Sequence, residues 1–332
     1  MLNIIFDRKY LSPKRVLITK QLKYSKFLNF ITFLSLFLRI PLPDNLIFSG
    51  PHKRLNNLIK TFKDRSYSFN KIKYKNTYIV TFNEKTEKVL IDLLKNKENT
   101  VLVGPLYNPK YQNKLINYTN KYENVKKLVA SNNSYNYALS IFNELKPENL
   151  YICPSGVISK NALNKEVTTK EDKCLVYFKK RPDDHLDFVL SFLENRGIEY
   201  SLFEYGKYKN EDLKIAAKKS KFGVFLSCAE SQGFAVQEMM AANLPLYVWN
   251  DYKWNSQILN NYFNVNNDAL TGISVSLWSE QNGIIVNSKY EFELNYDKFI
   301  SNLNQYRPSE IVNKELTFEV FEKNIMKFFK LT

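Results

Sequence analysis

Residues 222–249 read FGVFLSCAESQGFAVQEMMAANLPLYVW, and their pattern indicates the fold class. The first residues of this stretch are apolar and aromatic, which predicts a buried strand ending near Ser227. A short polar segment follows, and residues 234–242 then have helical spacing before Pro245 stops the helix. A second apolar run, at 246–249, predicts another strand. Strand, helix and strand in this order predict a unit of a parallel α/β sheet.

The same alternation of strands and helices extends along most of the chain. Strands are predicted at 2–6, 46–48, 77–82, 100–103, 127–130, 149–153, 174–178, 200–204, 222–227, 246–249 and 284–286. Helices are predicted at 55–62, 84–95, 111–122, 134–145, 186–195, 210–219, 234–242 and 318–329, and the helix at 186 is expected to be capped by Asp183 or Asp184. Residues 159–173 are polar and are interpreted as a linker. Two α/β domains, at 1–158 and 159–316, are therefore expected.

The bulk composition agrees with two packed domains. The chain has 332 residues, 44% of them hydrophobic, which suits two apolar cores and excludes a disordered chain. It contains 9 glycines, too few for several glycine-rich phosphate loops.

The charge is strongly positive and unevenly distributed. The formal net charge is +15, and residues 1–60 hold eleven Lys/Arg against two acidic residues, a net of +9. Such an excess favours anionic partners: nucleic acid, phosphorylated substrates or an anionic membrane face. The alternative is a compositional bias that fills surfaces with lysine.

One N-terminal segment is unusually apolar. Residues 27–40 read FLNFITFLSLFLRI, but the uncharged part, 27–38, is shorter than the roughly 18–20 residues needed to span a bilayer. It is expected to be a buried helix or an interfacial segment beside lysines that bind lipid headgroups.

The cysteines and the N-terminus indicate the compartment. Cys153, Cys174 and Cys228 have no metal-ligand spacing and suit a reducing environment. The early residues alternate charged and apolar character, unlike a signal peptide. A cytoplasmic protein, with peripheral membrane contact through its basic N-terminal region, is expected.

Two glutamates lie on either side of a glycine at the start of the helix predicted at 234–242. Glu230 precedes this helix and Glu238 lies inside it, eight positions later. Gly233 has no Cβ to hold a ligand away, and the first amides of a helix favour phosphate. Carboxylates accept hydrogen bonds from vicinal hydroxyls, as in a sugar or a ribose. The pattern therefore favours a site for a phosphorylated sugar derivative.

The stretch resembles the E-x7-E signature of retaining GT-B glycosyltransferases at Glu230, Gly233, Glu238, Ala241 and Pro245. The resemblance covers about residues 125–250. It implies an α/β protein with the GT-B fold, in which two Rossmann-like parallel-sheet domains face a central cleft. The implied activity is transfer of a hexosyl or pentosyl group from a nucleotide sugar to a glycan or glycolipid hydroxyl, with retention.

The resemblance also implies roles for residues of the C-terminal domain. Glu230 would contact hydroxyls of the donor sugar, and Glu238 would bind the ribose. The segment of Ser231, Gln232, Gly233 and Phe234 would approach the diphosphate with its amides.

Flanking features agree with the family pattern. The family's linker often resembles IPNGV, and residues 152–157 read ICPSGV. Basic residues after the first strand of the second domain neutralise the leaving diphosphate in the family, and Lys179, Lys180 and Arg181 occupy that place. Tyr205 and Gly206 would cup the base.

The N-terminal domain departs from the family. It has no glycine-rich loop in residues 1–50, and the group that would act opposite the donor is not identified. His52 is the candidate, with His185 and the loop of residues 104–107 as alternatives. No metal site is expected, because DxD and His/Cys clusters are absent, and by resemblance residues 317–332 would pack as a helix on the N-terminal domain.

Other classes of function remain open on the sequence. The charge and the many tyrosines also suit a nucleic-acid-binding protein, although no RNA- or DNA-binding motif supports this. A GT-B epimerase, or an inactive homologue that only binds sugar nucleotides, would keep the fold without the transfer.

Overall fold

A computed structural model of the chain describes residues 2–5, 41, 50–62, 67–69, 75–107, 111–163, 170–264 and 272–331. The strand predicted at 46–48 and the apolar segment at 27–38 lie outside these residues, as does most of the basic N-terminal region. Two compact units are formed, one by Met1–Ser155 with Phe318–Thr332 and the other by Gly156–Thr317.

The helices and strands alternate along the described chain. They are β1 Leu2–Ile5, α1 Gly50–Phe62, β2 Tyr67–Phe69, β3 Asn76–Phe82, α2 Glu84–Leu94, β4 Thr100–Tyr107, α3 Gln112–Lys121, β5 Val125–Val129, α4 Asn132–Ile141, β6 Leu150–Ile152, α5 Lys160–Leu163, β7 Glu171–Lys179, α6 Asp183–Asn195, β8 Glu199–Glu204, α7 Asn210–Lys219, β9 Ser220–Ser227, α8 Phe234–Ala241, β10 Leu246–Trp249, α9 Tyr252–Phe263, β11 Gly283–Val286, α10 Lys289–Ser301, α11 Pro308–Glu315 and α12 Phe318–Phe328.

The first unit is built on a parallel sheet. Its described strands have the order β2-β1-β3-β4-β5-β6, and the pair Ile4 and Tyr78 lies at the centre, fully buried. Helix α12 packs on α1, where the rings of Phe321 and Phe62 meet edge to face at 6.2 Å. The Tyr151 hydroxyl donates to the Asn324 carbonyl at 2.7 Å and fixes α12 beside β6.

The second unit has a parallel sheet with the order β11-β10-β9-β7-β8 in its described strands. From β7 the chain first adds β8 on one side and then β9 on the other side. The strand order therefore reverses between β7 and β9, and parallel sheets bind ligands outside the carboxyl ends of the strands at such a reversal. Stacked rings of Tyr177 and Phe225, with centroids 4.9 Å apart, pack the two strands together below this point.

The predicted architecture of two parallel α/β units is confirmed, with corrections to several elements. Strand β4 was expected to stop at Gly104 but continues to Tyr107, so residues 104–107 are not a loop. The pairing of β3 with β4 shifts register between Ile79↔Val103 and Thr81↔Leu106, where β4 holds one residue more than β3. Pro105 lies at this irregularity, where a residue without an N–H is tolerated.

Other differences concern strand and helix ends. Strand β7 begins at Glu171, inside the stretch interpreted as a linker. Helix α6 begins at Asp183 with Pro182 at its N-cap and no side-chain cap, so neither expected aspartate is the cap. Pro182 has no side-chain oxygen that could accept from the first amides of the helix, so α6 begins without a side-chain cap. Strand β2 and helices α5, α9, α10 and α11 were not predicted from the sequence.

Across the described residues, none of the helices combines the length and the apolar character that a bilayer crossing requires.

Candidate functional site

The sheet of the second unit brings Lys179 and Glu230 together at the reversal between β7 and β9. Lys179 ends β7 and pairs in register with Ser227, which ends β9. The Lys179 Nζ lies 2.6 Å from Glu230 Oε1, and the Ser227 hydroxyl donates to the same oxygen at 2.8 Å. Both charged side chains are largely buried, with 16% and 10% exposed. Two strand ends and one loop thus orient a single carboxylate.

The ion pair keeps Lys179 positively charged. Burial works to lower the pKa of Lys179, but the nearby Glu230 carboxylate outweighs it and the pKa is raised. The ammonium also lies 4.8 Å from the centre of the Tyr205 ring, a cation–π contact. Tyr205 itself is about half exposed. A permanent cation with an aromatic neighbour therefore lies at the carboxyl edge of this sheet.

Gly233 allows the sharp entry into α8. It occupies the N-cap position with φ 77°, a left-handed conformation that L side chains rarely adopt. A Cβ there would lie 2.9 Å from Val236 Cγ1. The amides that follow, from Phe234 onward, begin the helix without a side-chain cap and form an N-terminus that favours an anion.

Substitution of Gly233 by alanine should destabilise the protein more than the same change at Gly206. Gly206 also has positive φ, 85°, but open space around its missing Cβ. We expect Gly206→Ala to cost about 1 kcal/mol of unfolding free energy for the left-handed backbone. Gly233→Ala should cost about 1 kcal/mol more, because Val236 must also give way. Urea unfolding of both variants measures the difference, and equal stabilities would contradict the tight turn at Gly233.

Hydrogen bonds to Gln237 and Ser276 fix the loop between Glu230 and Gly233. Gln232 is buried, its side-chain Nε2 donates to Gln237 Oε1 at 3.1 Å, and its carbonyl accepts from Gln237 Nε2 at 2.8 Å. The hydroxyl of Ser276 also donates to the Gln232 carbonyl. Ser231 is exposed beside it. Gln232 therefore holds the turn, and Ser231 is the side chain of this loop that reaches solvent.

Glu238 lies one turn into α8, and α7 holds its carboxylate. Asn210 Nδ2 donates to Glu238 Oε1 at 3.2 Å, and Lys214 Nζ lies 3.3 Å from the same oxygen. The Glu238 side chain is 3% exposed. The sequence analysis missed Asn210 and Lys214. Their i, i+4 spacing on one helix face was the available signal, since such residues can act on one partner.

Tyr208 is a third residue near the site that was not predicted from the sequence. It is hydrogen-bonded to Tyr177, and its ring meets the rings of Tyr177 and Phe203 edge to face. Burial raises the pKa of Tyr208 to about 12, so its hydroxyl stays neutral. It interacts electrostatically with both Glu238 and Lys179. Tyr208 therefore lies within electrostatic range of Glu238 and of Lys179, the partner of Glu230.

Lys180 and Arg181 are adjacent in the chain but differ in burial. Lys180 is exposed, with φ 49°. The Arg181 side chain is fully buried and extends toward the end of β10, where Nη1 donates to the Trp249 carbonyl at 3.4 Å. Burial lowers the pKa of Arg181 to about 10, which still leaves it charged at neutral pH. Arg181 therefore lies inside the unit, apart from the solvent-facing part of the site.

The two histidines lie in different units. His185 Nδ1 lies 2.8 Å from Arg181 Nη2, and its ring stacks on Trp249 at 4.4 Å. Burial, followed by the Arg181 charge, lowers the pKa of His185. His52 lies in the first turn of α1 in the other unit, and the strand expected before it, at 46–48, lies outside the described residues. Its side chain lies outside the described part of the structure.

The described residues contain no group of three or more His, Cys, Asp and Glu side chains that could hold a metal ion.

Comparisons with known proteins concern the fold. No protein-family model matches the chain, and no curated protein matches it. The N-terminal domain of a trehalose-6-phosphate phosphatase from Candida albicans is similar in structure, with a TM-score of 0.50 and 10% identity over 100% of this chain and 96% of that one. Together with the two parallel sheets, this similarity identifies the GT-B fold.

Two further structures have lower scores. A sucrose-phosphate synthase from Thermosynechococcus elongatus has a TM-score of 0.48 and 10% identity, over 99% of this chain and 98% of that one. A pneumococcal O-GlcNAc transferase in complex with UDP and GlcNAc has a TM-score of 0.46 and 12% identity over 77% of this chain. The match spans 57% of the pneumococcal chain.

Proposed function

We propose that the protein is a glycosyltransferase that moves a sugar from a nucleotide-sugar donor to a hydroxyl acceptor. The observation that carries the proposal is the pairing of Lys179 with Glu230, 2.6 Å apart, at the reversal between β7 and β9. Glu230 of this pair lies just before α8, whose N-terminus has no side-chain cap, and Glu238 lies one turn along that helix. A cation, an anion-binding helix end and two carboxylates match the parts of a nucleotide sugar.

The diphosphate is the leaving group, and the positive groups of the site would stabilise it. Negative charge develops on the diphosphate as the bond to the sugar breaks, and preorganised positive groups lower the energy of that state. Lys179 is a fixed cation, Lys180 is exposed next to it, and the amides from Phe234 onward add the helix dipole. Arg181 contributes as a buried support of this loop.

The two carboxylates would orient the donor at both ends. Glu230 would accept hydrogen bonds from hydroxyls of the transferred sugar, since its orientation is fixed by Lys179 and Ser227. Glu238 would accept from the ribose hydroxyls, with Asn210 and Lys214 holding it in place. The base would lie toward Tyr205 and Gly206. Retention of the anomeric configuration and independence of metal ions are parts of the proposal that rest on the E-x7-E pattern.

The acceptor in this proposal is a glycan or a lipid-linked glycan. Support comes from the net charge of +9 in residues 1–60, which favours docking at an anionic membrane surface. Flotation with anionic liposomes should carry the protein to the top of a gradient. A protein that stays entirely in the aqueous fraction would remove the membrane contact from the proposal without affecting the transfer.

A donor screen tests the proposal. Wild-type protein is incubated with UDP-, GDP-, ADP-, CMP- and dTDP-sugars, and release of free nucleotide is measured with and without simple sugar acceptors. We expect turnover with donors of one base. Glu230→Gln is assayed beside the wild type, and Glu211→Gln is its matched control, because Glu211 is an exposed carboxylate on α7. Absence of turnover with every donor, in protein shown to be folded, would contradict the proposal.

A further inference from the structure

Lys180 has a backbone conformation that its position does not explain. Among the described residues, the non-glycine residues with positive φ are Lys180, Asn243, Asn264 and Lys330. The last three lie at or just beyond the carboxyl ends of helices, where left-handed residues are common. Lys180 instead follows the end of strand β7, with φ 49°. Such strain at a candidate binding site needs neighbours that hold it.

Trp254 supplies the contact that holds Lys180. The indole Nε1–H of Trp254 donates to the Lys180 carbonyl at 2.7 Å. Trp254 lies in the first turn of α9, and its own amide donates to Asp251 Oδ1 at 3.0 Å. The capped helix end therefore positions the indole, and the indole in turn positions the Lys180 peptide.

The chain after Lys180 is fixed to the same strand end. Arg181 donates to the Trp249 carbonyl, and its guanidinium carbon lies 5.3 Å from the centre of the Trp249 ring. His185 stacks on that ring with an interplanar angle of 20° and contacts Arg181. Residues beyond Lys180 therefore have little freedom, and rotation at Lys180 is limited by Trp254 on one side and by Arg181 on the other.

Trp254 is distinguished by its hydrogen bond and not by hydrophobic packing. Trp254 is partly exposed and belongs to none of the hydrophobic clusters formed by the described residues. Its directional contact is made with a cation-bearing residue at the carboxyl edge of the sheet. A residue that served only to fill the core would show the opposite combination.

We propose that Trp254 is a positioning residue for the diphosphate end of the donor site, because its indole N–H holds Lys180 in the left-handed conformation that aims the Lys180 ammonium at the phosphates. This inference rests on the proposed function, since it assumes a diphosphate at this edge of the sheet. Backbone dihedrals set the direction in which a side chain leaves the chain. Loss of the indole contact therefore weakens phosphate binding without removing a phosphate ligand.

Binding of inorganic pyrophosphate tests the inference without requiring turnover. Trp254→Phe keeps an aromatic ring and removes the N–H donor. We expect it to raise the dissociation constant of pyrophosphate about tenfold, the effect of one directed hydrogen bond, with the melting temperature nearly unchanged. Calorimetric titration gives the constant. Tyr262→Phe is the control, since Tyr262 is an exposed aromatic residue at the other end of α9 and should bind like wild type.

A double-mutant cycle shows whether Trp254 acts through Lys180. In a Lys180→Ala background, where no ammonium remains to be aimed, Trp254→Phe should change the constant less than twofold. A tenfold loss in both backgrounds, or no loss in either, would overturn the inference. Absence of pyrophosphate binding to wild type would instead contradict the diphosphate site and the proposed function with it.

Discussion

Replacing Glu230 with glutamine should reduce sugar transfer by about 10²–10³-fold, while the affinity for the nucleotide falls much less. The amide keeps the size of the side chain but loses the charge that orients Lys179 at 2.6 Å. Interactions that are stronger in the transition state than in the ground state affect turnover most, and losing one such group typically has this size of effect. Steady-state kinetics with the donor found in the screen give the change in kcat and KM.

The stability of the Glu230→Gln variant must be measured beside its activity. Removing one partner of a buried ion pair leaves the other charge uncompensated, and here Lys179 is 16% exposed. A lower melting temperature is therefore expected, and the assay temperature is set below it. Glu211→Gln should retain wild-type kinetics. A Glu230→Gln enzyme with an unchanged rate would remove Glu230 from the reaction.

Replacing Lys127 with methionine should stabilise the protein by about 2 kcal/mol at pH 7. Lys127 lies on β5 with 2% exposure, 3.4 Å from Gln112 Oε1 and over the Phe142 ring. Burial lowers its pKa from 10.5 to about 8. The shift corresponds to about 3 kcal/mol of destabilisation once the lysine is charged. Loss of the bond to Gln112 offsets about 1 kcal/mol of the gain.

The pH dependence of this effect has a definite sign. Between pH 8 and 10.5 the unfolded chain binds the Lys127 proton more readily than the folded protein, so wild-type stability rises with pH in this window. The gain in unfolding free energy from Lys127→Met should therefore be smaller at pH 9.5 than at pH 7. Urea unfolding at both pH values measures it. Lys126→Met is the control on the opposite face of β5, and an equal response of both variants would contradict the buried charge.

Much of the second unit could be predicted from local sequence. Helix α7 at Asn210–Lys219 and strand β10 at Leu246–Trp249 have the predicted bounds, because strong periodicity and breakers such as Pro245 define them. Helix α10 was missed although Phe292, Tyr296 and Phe299 have helical spacing and are buried. The many charged residues between them obscured that pattern.

The contacts of the site depend on the sheet order, which local sequence does not contain. Lys179 meets Glu230 because β7 and β9 are neighbours in the sheet although β8 separates them along the chain. The opposite directions of Lys180 and Arg181 follow from one positive φ angle that no residue preference at position 180 indicates. The spacing of the two glutamates could be seen in the sequence, whereas the residues that contact them depend on the fold.

The carboxyl edge of the second sheet should bind a nucleoside diphosphate, and a thermal-shift titration measures this binding without requiring turnover. Wild type and Glu238→Gln are titrated with UDP, GDP, ADP, CDP and dTDP. One nucleotide should raise the melting temperature of wild type, with about 2.7 kcal/mol of stabilisation at a hundred times its dissociation constant, and the shift should shrink in Glu238→Gln. No shift with any nucleotide, or equal shifts in both proteins, would show that this edge does not bind a nucleoside diphosphate through Glu238.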